Sequence, residues 1–263
     1  MIRIAINGAA GRMGRRLVDL ISREKELRLV AALEQEGHPD ERRDAGELAG
    51  CGALGLKISP EWAEQADVMI DFSAPAGLMQ RLPEALRMNC ALLIGTTGLT
   101  DHEKAALARA SHKIPILVAP NMSIGVNLLF KLAGQIAAAL GEEYDIEIVE
   151  THHRFKKDAP SGTALRLAEE IAGATGRDAA RDAVHGRHGA YVERKRGEIG
   201  IHAVRAGDIV GDHTVIFSTL GERIELTHRA HTRDTFVRGA IRAARFLAGK
   251  PAGVYSMSDV LTS

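Results

Sequence analysis

Short apolar runs and helical stretches take turns along the first half of the chain. Residues 3–7 carry Ile-Ala-Ile and predict a buried strand. Residues 29–33, 67–72, 91–94 and 116–119 are further runs of the same kind. Between them, residues 12–23 place Met13, Leu17, Leu20 and Ile21 at helical spacing, and residues 77–88 and 100–112 are helical in pattern. Thr100 followed three residues later by Glu103 is a capping-box signature. Strands alternating with helices predict βαβ units: a doubly wound parallel sheet with helices on both faces.

The pattern changes near residue 124. Residues 126–140 form one long apolar helix, and residues 144–151 then alternate with period two, setting Ile146 and Val149 in contrasting surroundings. A second helix is expected over 161–174. The Gly/Arg/His-rich stretch 176–197 predicts a mobile loop. Three alternating segments follow, 200–205, 213–218 and 223–228, separated by Gly-Asp and Gly-Glu turns, so an antiparallel or mixed sheet is expected. A helix over 235–247 closes the chain. The whole reads as two domains, the first doubly wound α/β and the second α+β with an open mixed sheet.

Composition narrows the classes. The 263 residues are 45% apolar and 26% charged with a formal net charge of zero, so nothing global points to nucleic acid or an anionic membrane. Any preference for anions must be local. Cys51 and Cys90 form no framework and read as reduced thiols of a cytoplasmic protein. The opening residues have no basic segment before an apolar core, so no signal peptide is expected, and no apolar run reads as long enough to span a bilayer.

Two stretches carry chemistry. The first is a glycine turn between strand and helix, Gly8-x-x-Gly11-x-x-Gly14. Gly8 permits the tight turn, Gly11 lets a diphosphate approach the backbone, and Gly14 lets helix and strand pack closely. The helix N-terminus beyond it offers N–H groups and the positive dipole end. Glu34 closes the second strand twenty residues after Gly14, where a carboxylate accepts from ribose hydroxyls. Strand ends at Asp71-Phe-Ser, Gly95-Thr-Thr and Ala119-Pro-Asn-Met favour a cofactor cleft over plain turn chemistry.

The second is Thr-His-His-Arg-Phe-Lys-Lys-Asp-Ala-Pro-Ser-Gly-Thr over 151–163. No third ligand at metal spacing accompanies His152 and His153, so no metal is expected. No nucleophile elbow surrounds Ser161, and no Lys follows Gly162 as a P-loop demands. Two readings stay open: a solvated basic loop, or an anion site in which Ser161-Gly162-Thr163 starts a helix, Lys156 adds a charge, and a histidine gives a proton near neutral pH.

The segment 147–165 resembles the signature E-x-x-E-x-H-H-x-x-K-x-D-A-P-S-G-T-A of the 4-hydroxy-tetrahydrodipicolinate reductase (dihydrodipicolinate reductase) family. Further likeness lies in the glycine turn with Arg12-Met13-Gly14, in Ala31–Glu34, in Asp71-Phe-Ser73, in Ile94–Gly98, in 121–127 and in 205–213. The resemblance implies a Rossmann-like dinucleotide-binding domain over 1–122 and 233–263, and a substrate-binding and oligomerisation domain over 123–232. It implies reduction of a cyclic imine dicarboxylate by NADH or NADPH after loss of water, in lysine (diaminopimelate) biosynthesis, by a homotetramer. By that pattern His152 and Lys156 are catalytic, and His153, Gly162 and Thr163 bind the substrate. Gly8, Ala9, Ala10, Gly11, Arg12, Met13, Glu34, Gln35, Gly95, Thr96, Thr97, Ala119, Pro120, Asn121 and Met122 line the cofactor; Arg154 and Lys157 have no assigned role.

Three positions depart from the family pattern. Gln35 and Ala74 stand where many members carry cations, which favours NADH over NADPH, and Met122 stands where several have Phe. Two other classes are weighed against the reductase. A semialdehyde dehydrogenase needs a catalytic Cys, and Cys51 and Cys90 lie in the wrong half. A nucleotide sensor without turnover has no need of His152 and Lys156 beside an anion-binding helix start.

Overall fold

A computed structural model describes residues 1–263. It divides into two compact units, one made of Met1–Ile124 with Asp234–Ser263 and the other of Gly125–Arg233. Along the first leg run β1 (Ile2–Asn7), α1 (Arg12–Ser22), β2 (Leu27–Leu33), α2 (Ala45–Ala49), β3 (Ile58–Ser59), β4 (Val68–Asp71), α3 (Pro75–Met88), β5 (Ala91–Ile94), α4 (Asp101–Ala110) and β6 (Pro115–Val118). The middle leg holds α5 (Ile124–Leu140), β7 (Asp145–His152), α6 (Gly162–Thr175), α7 (Ala179–Asp182), β8 (Ala183–His185), β9 (Ile199–Arg205), β10 (Gly211–Thr219) and β11 (Glu222–Ala230). The return leg is α8 (Asp234–Leu247), β12 (Gly253–Tyr255) and α9 (Met257–Leu261).

The first unit is a seven-stranded sheet in the order β12-β6-β5-β4-β1-β2-β3, parallel throughout. Both faces are covered, as the near-continuous apolar strands require. Ile4 and Ile6 point to the face packed with Leu17 and Val18 of α1 and Val237 and Ala240 of α8. Ala5 points the other way, toward Leu78 and Leu82 of α3 and Leu107 of α4. Helix α4 starts as its sequence predicts: Thr100 and Glu103 make both halves of a capping box. The strand order turns around at β1, which lies between β2 and β4. In such sheets a ligand sits outside the carboxyl ends of the strands at this point.

Those ends are tied together by a buried acid. Asp71, with no exposed surface, accepts from Asn7 Nδ2 (3.2 Å), Thr96 Oγ1 (2.7 Å) and Ser73 N–H (3.0 Å). Three strands, β1, β4 and β5, are thereby held at one level. Outside the stretch 176–197, four elements escape a periodicity reading, α2, β3, β12 and α9, each at most five residues long.

The second unit is a five-stranded sheet in the order β11-β10-β7-β9-β8. It is mixed: β7, β9 and β8 run parallel, while β10 is antiparallel to both β7 and β11. One face carries Ile146, Ile148, Ile201, Val215 and Phe217 against Leu129 and Ala133 of α5 and Leu167 and Ile171 of α6.

Two expectations need correction. The stretch 176–197 is not one mobile loop, since it contains α7 and the edge strand β8, paired with β9. Its arginines are anchored as well: Arg187 donates to Glu147 Oε2 (3.0 Å) and Arg194 to Glu147 Oε1 (3.0 Å). A Gly/Arg/His composition reads as loop only because Glu147 lies far away in sequence. Likewise, Ile124–Glu143 is long and apolar enough to cross a membrane by length and composition. Val126, Leu129, Ala133, Gly134 and Ala137 form its buried stripe. Isolated polar residues, Asn127, Lys131 and Gln135, hide the length of this run when apolar residues are counted consecutively.

Gly14 sets how closely α1 approaches the turn. A Cβ there would stand 2.1 Å from Gly8 O and 2.6 Å from Ala9 Cα, both backbone atoms. Gly14→Ala is expected to lose about 1–3 kcal/mol of stability in urea unfolding, as overpacked sites do. A midpoint equal to wild type would show that the turn gives way freely.

Candidate active site

Strand β7 puts Ile146, Ile148 and Glu150 on its helix-covered face, since side chains two apart point the same way. A carboxylate thus occupies a core position. Glu150 has no exposed surface, and every donor it needs is present. Arg205 Nη1 donates to Oε2 (2.8 Å) and Nη2 to Oε1 (2.8 Å). Ser161 N–H donates to Oε1 (2.9 Å), and His152 Nδ1 lies 2.6 Å from Oε2. Burial alone would push the Glu150 carboxyl upward, but the Arg205 guanidinium, His152 and the Ser161 N–H together hold it below the usual range. Arg205 reaches the site because β9 pairs with β7 in a register that sets Arg205 beside His152. Its Nη1 and Nη2 also donate to the carbonyls of Val204 (2.7 Å) and Asp158 (2.7 Å).

His152, two residues on, shares that face. Burial pushes it below the ordinary histidine value, Glu150 pulls it back up, and Lys156 and Arg205 push it down again. Its ring meets His213 of β10 edge to face, with centroids 5.2 Å apart. His213 is only 3% exposed, and burial followed by the neighbouring His152 drives it down to about 3, so it is neutral across the physiological range. His213 Nε2 lies 3.1 Å from Ser161 Oγ. That hydroxyl is the N-cap of α6 and accepts from Ala164 N–H (3.2 Å).

The remaining residues of the basic stretch follow β7. His153 is half-buried, its ring 6.3 Å from that of Phe155. Lys156 Nζ holds both oxygens of Asp158 at 2.8 Å. Gly162 is exposed and Thr163 half-buried in the first turn of α6, at its positive end. Arg154 and Lys157 are exposed. His152, Arg205 and the start of α6 therefore meet at one buried carboxylate, with the Lys156 charge close enough to act on the His152 ring.

In the other unit, the glycine turn is built as its spacing implies. Gly8 has φ +81°, and the N–H groups of Gly8 and Ala9 donate to Leu33 O (3.0 and 3.1 Å). Gly11 caps α1 with extended backbone and no side-chain cap, and Arg12 beside it is exposed. An uncapped helix start behind a glycine fits a diphosphate. Glu34 accepts the Ala10 N–H at 3.0 Å, so its carboxylate is fixed against the turn, with Met13 half-buried nearby and Gln35 exposed. The other strand ends divide. Thr97 and Pro120 are exposed, and Gly95 is half-buried. Asn121 Oδ1 accepts Ser123 N–H (2.9 Å). Thr96, Ala119 and Met122 are buried, and Thr96 spends its hydroxyl on Asp71.

The sequence places Ser161 at an anion-binding helix start but leaves Glu150, Arg205 and His213 as motif positions without a role. The available signal is period two: Glu150 falls on the same face as Ile148 and His152.

The family model described as dihydrodipicolinate reductase, N-terminus, matches residues 2–122, and that of the C-terminus matches residues 125–261. The chain belongs to the dihydrodipicolinate reductase family. It is 48% identical over 264 residues to the 4-hydroxy-tetrahydrodipicolinate reductase of Geobacter sp. (strain M21), covering 99% of each chain. It is 49% identical over 264 residues to the enzyme of that name from Syntrophotalea carbinolica, covering 99% of each. A solved dipicolinate-bound dihydrodipicolinate reductase from Paenisporosarcina sp. TG-14 matches with a TM-score of 0.77, 26% identity and 97% coverage of each chain. Membership of this family makes the chain an NAD(P)H-dependent oxidoreductase, which agrees with the nucleotide-type turn of its first unit.

The buried His213 has a consequence for this reductase fold. In the unfolded chain a histidine takes up a proton near its ordinary 6.5, but in the fold only near 3. Between those values the unfolded state binds more protons, so stability falls as pH falls from 6.5 toward 3. His213→Gln is expected to flatten that decline, by up to about 1.4 kcal/mol per pH unit, in urea titrations at successive pH values. Parallel curves for the two proteins would place the proton uptake elsewhere.

Proposed function

We propose that this chain catalyses the NAD(P)H-dependent reduction of 4-hydroxy-tetrahydrodipicolinate to tetrahydrodipicolinate with loss of water, in lysine biosynthesis. The observation that carries the reading is His152 hydrogen-bonded to a buried carboxylate beside the N-cap of α6, inside the family signature. A cyclic dicarboxylate accounts for a cationic cradle in a chain of zero net charge. Gly162 and Thr163 receive one carboxylate at the positive end of α6, and His153 assists. Lys156, now paired with Asp158, turns to the substrate when its charge is needed there. His152 delivers the proton that completes the reduction. When bound, the reduced nicotinamide supplies the hydride.

Residues 1–122 and 233–263 serve as the dinucleotide-binding domain, and residues 123–232 as the substrate-binding and oligomerisation domain. The turn Gly8–Met13 takes the diphosphate and Glu34 the ribose, with Gly95–Thr97 and Ala119–Met122 completing the site. NADH is favoured over NADPH. Glu34 repels a ribose phosphate, Gln35 is neutral, and two nearby arginines are already engaged: Arg15 and Arg43 both pair with Asp40 (3.5 and 2.5 Å). A cytoplasmic homotetramer fits the open sheet face and the exposed Ile224 of edge strand β11. A cysteine-dependent dehydrogenase is disfavoured, because Cys90 is fully buried and burial pushes its thiol up to about 12.

Steady-state assays with freshly generated substrate, following cofactor absorbance, test this reading. His152→Ala is expected to lower kcat by about 100-fold or more, the range of general acid catalysis. Lys156→Ala is expected to lower kcat/KM as well; full activity in both variants would end the assignment. The wild type is expected to prefer NADH, and Gln35→Arg to narrow the gap. A strong wild-type preference for NADPH contradicts the ribose-site reading.

A further inference from the structure

We propose that Glu150 is the positioning residue of this site: a buried carboxylate that decides which nitrogen of His152 holds the transferable proton and ties that ring to the start of α6. The inference rests on the reading of His152 as proton donor. It starts from a saturated acceptor. Each Glu150 oxygen has two partners: Oε1 takes Ser161 N–H and Arg205 Nη2, and Oε2 takes His152 Nδ1 and Arg205 Nη1. An ionised carboxylate has no proton to give and about four lone-pair sites, all of them used here. Its plane is therefore fixed by the Arg205 fork, and Nδ1 of His152 must be the protonated nitrogen. The other nitrogen, Nε2, is left to carry the proton that moves.

Strand β10 leaves room at that atom. A Cβ on Gly211 would stand 3.0 Å from His152 Nε2, so a side chain there would press on the donor. The charged and titratable groups that face His152 are few. They are Glu150 on its own strand, Lys156 in the loop after it, Arg205 on β9 and His213 on β10. Glu150 alone among them favours the cationic ring. His213 is uncharged, and the two cations oppose a third. The same carboxylate accepts the Ser161 N–H, and Ser161 caps the helix whose first turn holds the anion cradle. Donor and cradle thus hang from one group, which fixes their separation without a direct bond between them.

Two measurements test the assignment. In wild type, nitrogen-15 correlation spectra of the His152 ring, identified by its loss in His152→Ala, are expected to show a neutral tautomer protonated at Nδ1. An Nε2-protonated neutral ring would overturn the proposal whether or not the enzyme turns over. In Glu150→Gln, kcat is expected to fall by about 10–100-fold, as when an orienting partner is lost. Its alkaline limb is expected to move about one pH unit or more to the acid side, because the group that raises the His152 value is gone. Glu150→Asp should restore part of the limb. A Glu150→Gln enzyme whose pH profile overlays wild type would also overturn the proposal. Wild-type protein without reductase activity would instead count against the proposed function. If Glu150→Gln does not fold, the wild-type tautomer still decides.

Discussion

A carboxylate with no access to water has to be met by donors on every side, and the second unit is arranged around that demand. Leaving one partner of Glu150 unmade would cost several kcal/mol, more than most single packing contacts provide. Arg205 arrives on β9, the parallel neighbour of β7, and forks onto Glu150, while His213 arrives on the antiparallel β10 and meets Ser161 Oγ and the His152 ring. The loop after β7 then returns Ser161 to the same carboxylate before α6 begins. The approach of Arg205 from β9, the entry of α6 and the pose of His152 all meet at this one carboxylate.

The first unit repeats the device at a different place. Asp71 gathers Asn7, Ser73 and Thr96 at the carboxyl ends of three strands, beneath the level where the glycine turn stands. In both units a buried acid sits at the end of a strand and orients groups contributed by other segments. The surrounding apolar core supplies bulk stability, whereas these acids set the relative positions of chain segments that carry chemistry.

Legibility followed the range of the physics. Helix α4 could be read to its cap because Thr100 and Glu103 are three residues apart. The parallel strands of the first unit could be read because each is a short apolar run between helices. Residues 176–197 could not, since the acid that anchors their arginines lies on β7 and the strand that pairs β8 comes later. Glu150 was hidden for the same reason. Alternation puts it on the core face, which looks like an error of patterning until Arg205, 55 residues on, is placed beside it. The glycine turn and the basic stretch were legible as chemistry. The groups that hold them were not, because their partners are set by strand pairing.

The closing helix α8 belongs to the core of the first unit: Val237, Ala240 and Ala244 pack with Leu17 and Ile4, and Arg16 reaches Asp234 across 218 residues of sequence. During synthesis, then, the earliest part of the chain must wait for the last before its sheet is covered on that face. Residues 125–233, by contrast, are contiguous and draw their core from neighbours already made. Loop-closure entropy and the vectorial order of translation both favour the middle of this chain reaching its native packing first. The beginning of the chain then exposes Ile4, Ile6 and Leu17 until its end arrives, which makes that interval the time when a chaperone has most to hold.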